Sequence, residues 1–176
     1  MTITSSSEPA RRLLSWTMLT IRDASVEDAA ACAALYAPYV RDTVISFETV
    51  APDAVEMAGR IDGSHAWLMG EEDGRPVGFA YGGPFNPREA YRWACSVSVY
   101  LEVGRRRTGA GRALYEALFA RLVDLGLRRA AAGITLPNEA SVGLHAALGF
   151  ETVGTFPRIG WKDGAWYDVA WMQRDL

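Results

Sequence analysis

From Trp93 to Leu101 the chain alternates without a break, with Trp93, Cys95, Val97, Val99 and Leu101 set against Ala94, Ser96, Ser98 and Tyr100, and it then runs into the turn "EVGRRRTGAG". Such alternation is a strand with one buried face. Beyond the turn, Ala113, Leu114, Ala117, Leu118, Leu122 and Leu125 recur at helical spacing, and Gly126 is placed to end the helix. A strand, a basic glycine turn and a helix start together make an anion site, because first-turn N–H groups lack intrahelical partners and carry roughly half a positive charge. Gly109 and Gly111 would let the backbone approach phosphate oxygens, while Arg105, Arg106 and Arg107 would add charge-assisted bonds. Charge and glycine alone fit a solvated turn equally well. The turn is not a Walker loop, since no Gly-Lys-Ser/Thr follows, and it lacks the three-glycine dinucleotide fingerprint.

Around this unit the order of elements is readable. "LTIRDAS" has strand character, and "VEDAAACAALYAPYV" is alanine-rich with apolar residues at helical spacing, Pro38 marking the region of the helix end. "VISFETV" is a loop, and Pro52 and Asp53 open a second helix. Two apolar runs flank Glu-Glu-Asp-Gly as a hairpin. "AAAGITL" is a short buried strand; Asn138 caps a helix running to Leu148, where Gly149 ends it in the left-handed conformation. "FETVGTF" and "WYDVAWMQ" close the chain as a hairpin around "GWKDGA". The fold class is α/β in the broad sense: a mixed sheet with helices on both faces, not a doubly wound nucleotide fold, because the central meander breaks the alternation of strand and helix.

The 176 residues suit one domain, expected over residues 18–176, after a loose extension over 1–17; Met18 is a second possible start. A net charge of −3 argues against a general nucleic-acid or membrane-surface role, since either needs a broad basic face, so a local basic cluster needs a local partner. Cys32 and Cys95 are too few for a disulfide framework and are not spaced as a metal site; they read as buried thiols, with the cytoplasm as the default location and no metal expected. "ARRLLSWTML" lacks the apolar length and cleavage site of a signal peptide.

Arg106, Gly109 and Gly111 form Arg-x-x-Gly-x-Gly directly after "VSVYL", and "LPNEASVGLHAALGF" follows downstream. In both signatures the chain resembles the GCN5-related N-acetyltransferases (GNAT), and within them it is similar to the phosphinothricin and methionine sulfoximine acetyltransferases, whose "FAYGGP", "AYRW" and "GWKDGAWYDV" segments also fall in order. The resemblance implies a mostly antiparallel mixed sheet, acetyl-CoA as co-substrate and a homodimer. It places the cofactor on the backbone of Val99, Tyr100 and Leu101, on the loop residues Arg106, Arg107, Thr108, Gly109, Ala110, Gly111 and Arg112, and on Asn138 and Ser141.

Acetyl transfer from a thioester to an amine needs a neutral amine, a polarised carbonyl and a protonated departing sulfur. His145 stands on an otherwise small and apolar helix; by itself it fits a satisfied, partly buried residue, and the resemblance implies proton transfer. Ser96 occupies the place where the resembling enzymes carry a glutamate base, and serine cannot take the amine proton unaided. A water held by Ser96 and Ser98 could relay that proton to His145, or Glu48 could serve, although Glu48 reads more simply as a solvated loop acid. Arg88 and Tyr91 match substrate-holding residues, whereas Asn86 replaces a lysine of the phosphinothricin pattern. Phe47, Phe85, Tyr167 and Val169 are candidate walls that serve equally as core. The expected activity is acetyl-CoA-dependent N-acetylation of a small amino-acid-like amine by direct attack; a CoA-binding sensor or a peptide N-acetyltransferase is the alternative.

Overall fold

The computed structural model describes residues 18–105 and 108–176; the predicted extension, and Arg106 and Arg107 of the loop, lie outside the described residues. Among the described residues seven strands form one sheet in the order β1-β2-β3-β4-β5-β7-β6. They are β1 (Leu19–Asp23), β2 (Ala66–Glu72), β3 (Arg75–Pro84), β4 (Ala94–Leu101), β5 (Arg129–Thr135), β6 (Glu151–Lys162) and β7 (Ala165–Asp175). Every neighbouring pair is antiparallel except β4 and β5. The helices are α1 (Ala29–Asp42), α2 (Ala54–Asp62), α3 (Ala110–Asp124) and α4 (Glu139–Ala147).

The period-2 pattern of β4 divides the core between the two faces. Cys95 and Val97 join Leu114, Leu118 and Leu122 of α3 in one buried cluster. Tyr100, on the alternate parity, packs against the second cluster, in which Tyr36 and Val40 of α1 and Met57 and Ile61 of α2 cover Trp67, Met69 and Phe79. Asp53 caps α2 by accepting from the Glu56 amide at 2.8 Å, and Asn138 caps α4 by accepting from the Ser141 amide at 3.1 Å. Asp73 and Gly74, both at positive φ, turn the β2–β3 hairpin. Among the described residues no helix is long and apolar enough to cross a membrane.

Two local features go beyond what the sequence predicts. Pro38 lies inside α1, which continues to Asp42. The amide it lacks would have bonded the Ala34 carbonyl, and Ala34 is exposed, so water can take that acceptor while buried Tyr36 and Val40 hold the last turn. β6 is also longer than "FETVGTF": it passes an irregularity between Phe156 and Gly160, where Pro157 is accommodated, and resumes pairing to Lys162. There Lys162 is 4% exposed, and its Nζ donates to the carbonyls of Val40, Thr43 and Ser46 at 2.6, 2.8 and 2.7 Å. The closing hairpin is thereby fastened to the end of α1 and to the loop after it.

Candidate active site

Only Ala94, Cys95 and Ser96 of β4 pair with β5, opposite Arg129, Ala130 and Ala131. β4 continues to Leu101 and β5 to Thr135, so the two strands part beyond Ser96. The Glu102 amide donates to the Val77 carbonyl at 2.8 Å, and bonded residues alternate along an antiparallel ladder, so Tyr100 and Ser98 direct their main-chain groups to β3. Val97, Val99 and Leu101 turn theirs into the gap, where the Tyr39 hydroxyl donates to the Leu101 carbonyl at 2.6 Å. Of the expected stretch Val99 to Leu101, the amides of Val99 and Leu101 therefore face the opening, while Tyr100 offers its ring. The gap is a cavity of about 60 Å³ bounded by Val97 to Tyr100, by Ala132 to Thr135, and by Tyr115, Asn138, Ser141 and His145.

The basic turn delivers α3 beside this opening. Gly109 caps α3 at φ 80°, a left-handed conformation that glycine adopts without a Cβ penalty, and among the described residues no side chain bonds its cap position. The Ala110 amide has only a long contact, 3.4 Å, to Thr108 Oγ1. A Cβ on Gly111 would stand in ordinary contact with Leu144 and Leu101, at 3.5 and 3.7 Å, so internal packing does not demand glycine there. Arg105 is not available to an anion: it is largely buried against Glu72 at 2.6 Å, with Glu102 at 3.6 Å. Arg112 likewise bonds Glu116 and the Ala147 carbonyl, both at 3.0 Å.

His145 is 3% exposed and held at both nitrogens. Nδ1 lies 2.8 Å from the Ser141 carbonyl, which can only accept, so the neutral ring carries its proton on Nδ1. Nε2 then accepts from the Tyr115 hydroxyl at 3.0 Å. Burial pulls the His145 pKa below its ordinary 6.5, only partly opposed by the Ser141 carbonyl bond. Burial also pushes the Tyr115 hydroxyl far upward, keeping it a neutral donor. His145 and Tyr115 together form a neutral donor–acceptor pair on the cavity wall.

The structure does not bring Ser96 to this wall. It sits at the last paired position, and its side chain points to the face opposite the Cys95 and Val97 side chains, whose cluster includes Tyr115. Ser98, two residues on, does line the cavity, because the strands have separated by then. Glu48 is neither a solvated acid nor a free base: its carboxylate takes two bonds from Arg60, at 2.7 and 2.8 Å, and one from the Tyr36 hydroxyl at 2.8 Å. Arg60, more than Tyr36, lowers its pKa.

The expected acceptor residues fall in two groups. Asn86 Oδ1 accepts from the Arg88 amide at 3.1 Å, and among the described residues the Arg88 side chain has no carboxylate partner. Tyr91 is 41% exposed and lies against Phe85, whose ring meets Trp171 edge-on at 6.0 Å. Trp171 in turn covers Gly133 of the cavity, where an added Cβ would stand 3.3 Å from the indole. Phe47 instead packs onto Gly160, near Tyr167 at 6.4 Å, and Val169 lies in the β7 ladder opposite Thr135 and Phe156. Sequence reasoning passed over Tyr115 and Trp171. Tyr115 sits at a core position of α3 and Trp171 alternates normally in β7, and nothing local separates either from ordinary packing.

A family model described as an acetyltransferase (GNAT) domain matches residues 21–171. A phosphinothricin N-acetyltransferase from Alcaligenes faecalis is 39% identical over 162 residues, covering 89% of this chain and 82% of its own length. An L-methionine sulfoximine/L-methionine sulfone acetyltransferase from Pseudomonas aeruginosa is 33% identical, covering 89% of this chain and 94% of its own. A GNAT superfamily phosphinothricin acetyltransferase from Sinorhizobium meliloti, solved in complex with acetyl-CoA, superposes with a TM-score of 0.85 at 36% identity, over 90% of this chain and 88% of that one. With the match running from β1 into β7, the chain belongs to the GNAT acetyltransferase family.

Proposed function

We propose that this protein is an acetyl-CoA-dependent N-acetyltransferase that acetylates the amine of a small amino-acid-like molecule, of the phosphinothricin or methionine sulfoximine and sulfone type, by direct attack. The observation that carries the reading is the parting of β4 and β5 beyond Ser96, which frees the Val99 and Leu101 amides beside His145 and next to the start of α3. Acetyl-CoA supplies an acetyl group already activated as a thioester. The α3 amides at Ala110 to Arg112 and the Gly109 turn are suited to its diphosphate, with Arg106, Arg107 and Thr108 completing the loop and Asn138 and Ser141 bordering the opening. The Val99 and Leu101 N–H groups are suited to polarise a carbonyl, an effect that for one preorganised donor is worth about 10²–10³ in rate.

His145 Nε2 is the site for the amine proton, reached through the Tyr115 hydroxyl or a water on Ser98, and it can return that proton to the departing sulfur. This relay leaves Ser96 as a neighbour at the neck of the gap. On this reading Arg88, Tyr91 and Asn86 border the acceptor side, with Phe47 of the loop after α1 and Val169 of β7 supporting its walls. Thiol release from acetyl-CoA over a panel of phosphinothricin, methionine sulfoximine, methionine sulfone and peptide amines tests the reading. Turnover on the free amino-acid analogues is expected; turnover on peptide amines alone, or acetyl-CoA binding with no turnover at all, would replace it.

His145→Ala should lower kcat about 10²-fold or more while changing the acetyl-CoA KM little. The sign of its pH dependence follows from burial. The folded pKa lies below 6.5, so the base-competent neutral ring is present throughout the neutral range, and its activity is lost only as pH falls through that depressed value. In the variant the loss below pH 6.5 should vanish; a wild-type acid limb retained in full would remove His145 from the proton path.

The homodimer and the cytoplasmic location belong to the same proposal. β6 is exposed along nearly its whole length and carries Phe156, Ile159 and Trp161, with Trp166 of β7 beside them, at 54, 59, 56 and 57% exposure. Apolar residues concentrated on one long hairpin suit a second copy of this chain. Light scattering should give the mass of two chains for the wild type and of one for Phe156→Glu; a wild type with the mass of one chain would refute the dimer. The buried free thiols Cys32 and Cys95 favour a reducing compartment.

A further inference from the structure

On the α1 and α2 side of the sheet lies a second cavity, of about 280 Å³, whose floor is a row of rings carried by three adjacent strands. Trp67 and Tyr81 are direct ladder partners and stack at 4.4 Å with 12° between their planes. Phe79 continues the row, 5.2 Å from Trp67 and 5.5 Å from Tyr100. Met57 closes one wall, and Ser64 stands at the rim. Tyr100 borders both this cavity and the gap that holds His145, so the two spaces meet at one residue of β4.

The charged groups around the cavity are committed to one another, whereas the buried indole N–H of Trp67 has no hydrogen-bond partner among the described residues. Arg60 is neutralised by Glu48 and by Glu56 at 2.6 Å, and the Tyr36 hydroxyl is shared between Ser46 and Glu48 at 2.7 and 2.8 Å. An anionic phosphinate placed here would lose its hydration and find no free cation among the described residues that line the cavity, an unfavourable exchange. Apolar and aromatic groups meet the opposite situation, since stacked ring faces and a methionine offer dispersion contacts and an apolar lining. Size agrees: an apolar cavity of about 150 Å³ admits benzene, and this one is nearly twice as large.

We infer that this cavity receives the side chain of the acceptor amine, and that the enzyme selects amino acids whose side chain is apolar or aromatic over those with an anionic one. The inference rests on the acetyl-transfer reading for its catalytic consequence, but the binding it requires stands apart from turnover. Tyr100 is the residue around which the acceptor would turn, its amine in the gap and its side chain over the rings.

The test pairs rates with direct binding on the full chain. With acetyl-CoA saturating, kcat/KM for L-tryptophan and L-phenylalanine should exceed that for phosphinothricin at least tenfold. Ser64→Phe, at the rim, should raise the KM for both aromatic acceptors tenfold or more and leave acetyl-CoA affinity unchanged. Calorimetric titration of L-tryptophan into the wild type should give a saturable heat that Ser64→Phe abolishes. Equal or better use of phosphinothricin, or an L-tryptophan KM untouched by Ser64→Phe, overturns the inference while leaving acetyl transfer intact. Should no amine be acetylated, the acetyl-transfer reading falls, and the calorimetric arm still decides the cavity: no heat with L-tryptophan, or the same heat in Ser64→Phe, overturns it.

Discussion

Gly109→Asp should raise the KM for acetyl-CoA by roughly 10- to 100-fold and leave the melting temperature close to that of the wild type. The new carboxylate would stand at the cap of α3, facing the same first-turn amides that are suited to a diphosphate. Two unit charges about 5 Å apart at an effective dielectric of 20 to 40 repel by about 2–3 kcal/mol, which sets the size of the effect. For the fold the terms nearly cancel. A residue with a Cβ at φ 80° costs about 1–2 kcal/mol, although aspartate is among the side chains that tolerate this region best, and a negative charge at a helix start returns about 0.3–1 kcal/mol. An added Cβ meets nothing within 4 Å. Gly109→Ala carries the backbone strain without the charge and should shift the KM only a few-fold. Initial rates against acetyl-CoA concentration for the three proteins separate these effects; an unaltered KM in the aspartate variant would move the diphosphate away from α3.

The features that were legible in the sequence are those whose cause lies within a few residues. Asp53 and Asn138 cap the helices they precede, Gly149 ends α4 at φ 82°, and the Asp73–Gly74 turn joins β2 to β3, because caps and turns are decided by local hydrogen bonds and by φ. The loop after β4 belongs to this class as well. The working geometry of the site does not. That β4 and β5 stay paired for three residues and then part depends on what β3 and β7 do on either side, and the alternation that exposes the Val99 amide instead of the Tyr100 amide follows from the pairing with β3. Ser96 and Ser98 are equivalent in the pattern of β4, and only the place of the parting separates them. Glu48 and Arg105 read as available charges because their partners, Arg60 and Glu72, lie 12 and 33 residues away in the chain. Pro38 marks only the region of the helix end, because the tertiary contacts of Tyr36 and Val40 that carry α1 to Asp42 have no local signature.

Lys162 is the extreme case of such a distant cause, and Lys162→Met should lower stability by about 3 kcal/mol. Methionine matches the stem in length and apolar character, so packing along it is largely kept. What goes is the Nζ group, whose three N–H bonds satisfy the carbonyls of Val40, Thr43 and Ser46. An unsatisfied buried acceptor costs about 1–3 kcal/mol, and relief from burying the lysine head group offsets part of the sum over three, leaving the figure above. For a chain of this size each kcal/mol moves the melting temperature by about 2–4 °C, so a fall of about 6–12 °C is expected in calorimetry. The effect should extend to the site. Lys162 holds the loop after α1, in which Phe47 lies against Gly160 and Ile45 lines the gap beside Ser98 and Tyr100. Once that tie is cut, the loop can leave the gap, and the acetyl-CoA KM should rise several-fold at temperatures where the variant is still fully folded. A melting temperature within 2 °C of the wild type would mean that the three carbonyls find other donors; a lowered melting temperature with an unchanged KM would mean that the loop keeps its place without the lysine, and that the β6–β7 hairpin supports the fold but does not shape the site.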